Sequence, residues 1–118
     1  MGDAAAWSGR RPWTLMIYMA GDNGRVFETT AGPLTLMAEM TSAGYRDLWE
    51  MGQVGTTGAC AVTCLFDTQG AAYLVEVRKG RGMADSLVQP LREINTGSPD
   101  TLAHFIKRSA AEYPAEHY

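Results

Sequence analysis

The chain has no excess of positive charge: 10 lysines and arginines stand against 13 aspartates and glutamates, for a net charge of -3. Readers of nucleic acid and of anionic lipid usually carry a basic face, so neither partner class is expected. Cysteine is nearly absent, with only Cys60 and Cys64. Extended chain holds these two roughly 13 Å apart, too far for a bridge, and they read as reduced thiols. No stretch approaches the ~20 apolar residues of a membrane-crossing helix. The first twelve residues also lack the apolar centre of a secretion signal. These absences make a cytoplasmic location the expectation. Internal repeats and low-complexity segments are lacking too, and 118 residues are too few for a two-domain enzyme.

What remains is a globular composition, 46% hydrophobic and 19% charged, that can build one core. Residues 1–12 are small and polar and read as a flexible leader. Residues 13–20, Trp-Thr-Leu-Met-Ile-Tyr-Met-Ala, form a nearly continuous apolar run that stops at Gly21-Asp22-Asn23-Gly24. Such a run is the mark of a central strand buried on both faces. Residues 33–51 space Leu36, Met37, Met40, Ala43, Leu48 and Met51 at helical intervals, with Pro33 suited to the first position and Gly44 a point of interruption. Residues 60–67 repeat the buried-strand pattern, 72–77 give a third strand, and Arg78-Lys79-Gly80-Arg81-Gly82 an exposed basic turn. Leu91 to Ile94 suits a short edge piece. Ser98, Pro99 and Asp100 then cap a helix reaching about Tyr113, with an inward stripe of Leu102, Phe105, Ile106, Ser109 and Tyr113. The order strand, helix, strand, hairpin strand, helix predicts a doubly wound α/β domain.

In an open parallel sheet ligands gather beyond the carboxyl ends of the strands, which singles out Gly21-Asp22-Asn23-Gly24 and Asp67-Thr68. Plain turn closure is the simpler reading of the same residues, and they carry no phosphate-binding fingerprint. Thiol catalysis needs an imidazole in reach, and neither Cys60 nor Cys64, mid-strand in apolar surroundings, pairs with His104 on a polar helix side or His117 beyond Pro114. Two thiols alone do not make a zinc site. Residue chemistry by itself gives a catalytically empty piece of α/β protein.

The wording of these segments nevertheless resembles the N-terminal half of the clostripain family of cysteine endopeptidases. The motifs are Trp13-Thr14-Leu15-Met16-Ile17-Tyr18-Met19-Ala20-Gly21-Asp22-Asn23, Asp47-Leu48-Trp49-Glu50-Met51-Gly52-Gln53-Val54-Gly55, Phe66-Asp67, and Glu93-Ile94-Asn95-Thr96-Gly97-Ser98-Pro99-Asp100-Thr101-Leu102 followed by Phe105-Ile106 and Tyr113-Pro114-Ala115. The resemblance covers residues 13–118, and residues 25–44 are longer than in typical members. It implies a partial caspase-like three-layer sandwich with a mostly parallel sheet, and places Asp22 and Asn23 at the mouth of a substrate cleft. The implied activity is peptide-bond hydrolysis after a basic residue.

In that family the strands beyond the position of Tyr118 supply the histidine base and the cysteine nucleophile, so no residue of this chain is expected to be catalytic and the chain alone is expected to be inactive. No cofactor is evident, although calcium serves some relatives. The expected partners are the C-terminal half of the same precursor or a second copy, with a polypeptide substrate in the complete enzyme. The alternative is a stand-alone, truncated module that binds or scaffolds without catalysis.

Overall fold

The computed structural model describes residues 10–21, 26–29, 32–68, 70–92 and 94–118. Strand β1 spans Arg11–Ala20, followed by the short strands β2, Val26–Thr29, and β3, Gly32–Thr35. Helix α1, Leu36–Met51, leads to β4, Cys60–Thr68, and β5, Ala71–Glu76. A 3-10 turn at Gly82–Asp85 precedes β6, Leu87–Leu91, and the chain closes with helix α2, Pro99–Glu112, and β7, Ala115–His117. Five strands form one sheet in the order β6-β5-β4-β1-β7, while β2 and β3 pair separately.

The sheet is mixed rather than mostly parallel. Strands β1 and β4 pair in parallel, as do β1 and β7, but β4-β5 and β5-β6 are antiparallel. The short connection from Thr68 to Ala71 imposes this, because a few residues can only turn the chain back on itself; a parallel return needs a crossover of a dozen or more.

Alternation along β4 divides the core. Val62, Cys64 and Phe66 join Leu48, Val75 and Val77 in one buried cluster, with Cys60 packed at its margin. The expected shared face of Cys60, Val62, Cys64 and Phe66 is therefore observed. On the opposite face Thr63 Oγ1 bonds Ser109 Oγ of α2 at 3.1 Å, and Thr14 Oγ1 donates to the Tyr113 carbonyl at 2.7 Å. Helix α1 thus covers one face and α2 the other, giving three layers.

Several elements differ from the sequence expectation. Pro33 is no helix start: it pairs with Glu28 in the β2-β3 ribbon, where a residue without N–H is tolerated, and α1 begins at Leu36. Gly44 does not interrupt α1, since a buried glycine there lets the helix approach the Phe66 ring. The edge strand lies at Leu87–Leu91, just before the predicted segment. In α2 Phe105 and Ser109 are buried, but Leu102 and Ile106 are exposed, because α2 lies over the sheet along a narrower stripe than the apolar pattern suggests. Ser98 holds the N-cap position without a side-chain hydrogen bond.

β1 begins at Arg11, where the main-chain N–H donates to the Pro114 carbonyl and the guanidinium Nε to the Thr57 carbonyl. It is a less buried strand than its composition predicts, with Leu15 47% exposed and residues 16–20 half-buried. The reason is its neighbour: β7 pairs only with the start of β1, at Arg11 and Trp13. The basic turn is exposed at Arg78, Lys79 and Arg81, yet it is pinned. Gly80 N–H donates to Gly52, and Arg81 donates to Asp85 Oδ2 from both main chain and side chain.

Candidate functional site

The parallel pair β1-β4 ends in register, Ala20 beside Asp67. At that point the chain leaves the sheet at Gly21, whose N–H donates to the Asp67 carbonyl at 2.7 Å. Asp67 is almost fully buried, and its carboxylate accepts a long hydrogen bond from Thr96 Oγ1 at 3.4 Å. Thr96 belongs to a turn in which Asn95 Oδ1 accepts from Gly97 N–H and the Asn95 carbonyl from Ser98 N–H. The Tyr18 hydroxyl, from the α2 face of β1, donates to the Thr96 carbonyl at 2.9 Å. Burial, and then the negative charge of Asp67, push the Tyr18 phenol above its ordinary range, so it stays a donor. On the α1 side the same edge opens into a cavity of about 150 Å³ between Met19, Ala20, Gly21, Gly44, Asp47 and Phe66.

Two flanks therefore meet at the carboxyl ends of β1 and β4: a hydrogen-bonded polar cluster and a largely apolar cavity. Of the residues singled out in the sequence, Gly21, Asp67 and Thr68 are found at this edge, and Thr68 Oγ1 donates to Ala71 and closes the β4-β5 turn. Asp22 and Asn23 lie outside the described residues. Sequence reasoning missed Thr96 and Tyr18. The Asn-Thr-Gly turn reads locally as a helix start, and only the fold brings it 29 positions back to Asp67.

The arrangement holds and orients; it has no thiol-imidazole pair among the described residues. Trp13 pairs in register with Cys60 on one side and His117 on the other. Thiol and imidazole are thus two strand spacings apart, roughly 9–10 Å, with the Trp13 indole tilted against the His117 ring at a centroid distance of 4.7 Å. His104 is exposed on α2, across the sheet from Cys64. Among the described residues no three His, Cys, Asp or Glu side chains gather as a metal site.

Burial, with a smaller contribution from the Asp47 charge, pushes the Cys64 thiol up to about 12. A thiol that ionises near ~8.5 in the unfolded chain then binds its proton more tightly when folded. Its stabilising contribution is complete below that value and is lost as pH rises toward 12. Urea titrations between pH 8 and 11 should show stability falling by up to ~1.4 kcal/mol per pH unit from this group. Cys64→Ala should flatten that decline below pH 10, and an unchanged slope would show that Cys64 is not the group responsible.

No family model matches the sequence, and no curated protein matches it. Two solved structures share its fold. A cysteine protease from B. fragilis aligns with a TM-score of 0.60 and 19% identity over 91% of this chain and 82% of its own. An inactive zymogen C11 protease from Parabacteroides distasonis aligns with a TM-score of 0.58 and 20% identity over 92% of this chain, which spans 29% of the zymogen. The expected partial caspase-like fold is borne out at the level of architecture, as a mixed sheet between two helices.

Proposed function

We propose that the chain is the N-terminal part of a clostripain-like cysteine endopeptidase, which contributes the first wall of the substrate cleft and neither catalytic group. The observation that carries this reading is the β1-β7 pair. β7 begins a parallel track along β1 in the register Arg11-Ala115, Trp13-His117, and in this proposal the polypeptide that follows Tyr118 continues on that track along Leu15 toward Met19. A strand laid there ends beside Gly21 and the Asp67-Thr96 cluster, where a histidine at its end would face the crevice.

In this proposal the partner is the C-terminal half of the same precursor, or in its absence a second copy, and the substrate is a polypeptide cut after a basic residue. Asp22 and Asn23 order the mouth of the cleft without taking part in bond breaking. Among the described residues no helix is long and apolar enough to cross a membrane, and a cytoplasmic location belongs to the proposal.

Mass spectrometry of the protein from its native source tests it. A longer precursor, or a co-purifying chain with a His-Gly strand end and a cysteine, is the expected result. A 118-residue species without a companion would instead favour the binding or scaffold module.

A further inference from the structure

Beneath α2, on the sheet face away from α1, a second cavity of about 200 Å³ lies apart from the carboxyl-end crevice. Its walls are apolar: Leu65, Leu74, Leu91, Ile94 and Phe105. Its polar lining is Thr101, His104 and Arg108, and no carboxylate lines it among the described residues. Its volume is below the ~300 Å³ at which pockets for drug-sized ligands begin, so its ligand is small.

Arg108 and Leu74 also border a neighbouring polar cavity of about 50 Å³ that includes Thr63, Glu76, Ser109 and Tyr113. They therefore lie between a mainly apolar chamber and one lined by more polar residues. The guanidinium is held there by Nε donating to Glu112 Oε1 at 2.7 Å and Nη2 donating to Gln89 Oε1. Those bonds use two of its five N–H donors. The Glu112 pair is half-exposed and weakly coupled through solvent. A permanently charged, forked donor fixed beside an apolar chamber matches a carboxylate on an aliphatic body. The cavity on the α1 side, by contrast, has Asp47 as its charged lining and is unsuited to an anion.

We propose that the cavity under α2 binds a small aliphatic monocarboxylate, with the chain among Leu65, Leu74, Leu91 and Phe105 and the carboxylate on Arg108. Isothermal titration of the whole 118-residue chain with sodium octanoate and with 1-octanol tests the charge requirement, and methyl NMR locates the site. Octanoate is expected to bind at least about tenfold more tightly than octanol, the ratio one charge-assisted hydrogen bond sustains, and to shift the Leu65, Leu74 and Leu91 methyls. Arg108→Gln should abolish that preference while octanol affinity stays unchanged. Equal affinities of the unaltered chain for the two compounds, shifts confined to other methyls, or no binding at millimolar octanoate would each overturn the proposal, as would full octanoate affinity in a folded Arg108→Gln.

Discussion

Phe66→Ala is expected to lower the stability of the chain by about 3–5 kcal/mol, the range for emptying a large aromatic site in a close-packed core. Phe66 has 0% exposure and sits where α1 meets the sheet, with the Tyr45 ring edge-on at 5.0 Å. Small domains have only ~5–15 kcal/mol in total, so a urea midpoint near zero denaturant is within range. The same contact makes Gly44 intolerant. A Cβ there would collide with Phe66 Cε1, and a fully buried ring has nowhere to yield. Gly44→Ala should therefore cost about 1–3 kcal/mol from overpacking, against the ~1 kcal/mol that alanine normally gains over glycine inside a helix. The pair should be strongly non-additive: with Phe66→Ala already present, Gly44→Ala should turn neutral or stabilising. Additive losses would mean that α1 does not rest on Phe66.

The second large effect concerns association. β1 pairs with β7 only at its start, so along Leu15 to Ala20 the side away from β4 has no strand partner among the described residues. That segment contains neither charge nor proline, the usual devices that keep an edge from pairing. The other edge strand, β6, carries Pro90 and has Gln89 engaged by Arg108. Sedimentation of the purified chain at micromolar concentration should therefore show species larger than a monomer. Leu15→Lys, a change at a position 47% exposed, should raise the concentration needed for association at least about tenfold, since a lysine facing an incoming strand opposes pairing by more than ~1.4 kcal/mol. A monodisperse, cooperatively unfolding monomer of the unaltered chain would show that the edge needs no partner.

Much of the fold was legible because the local pattern and the final environment agree. The apolar run 60–67 is buried along all but its first residue, and the Ser98-Pro99-Asp100 start of α2 is where turn chemistry puts it. The failures have a common cause, which is that burial depends on neighbours outside the local pattern. β1 reads as buried on both faces, yet Trp13 and Leu15 are each 47% exposed, because apolar composition says what can be covered and not what covers it. Leu102 and Ile106 fail the same way on α2. Local propensity points to a helix start at Pro33 and an interruption at Gly44, where ribbon pairing and helix-sheet contact decide instead. At the candidate site Gly21 and Asp67 follow from strand ends, a rule of topology. Thr96 and Tyr18 join them only through long-range folding, which leaves no local mark.

Hydrolysis of a fluorogenic arginyl peptide amide tests most directly the proposal that the chain supplies a cleft wall and no working nucleophile. The 118 residues alone should give no turnover, while the same chain together with the proposed C-terminal half should hydrolyse the amide until iodoacetamide blocks that half's thiol. Iodoacetamide-sensitive hydrolysis by the isolated chain would contradict that proposal, because it would require Cys60 or Cys64 to act from positions that offer neither thiol an imidazole.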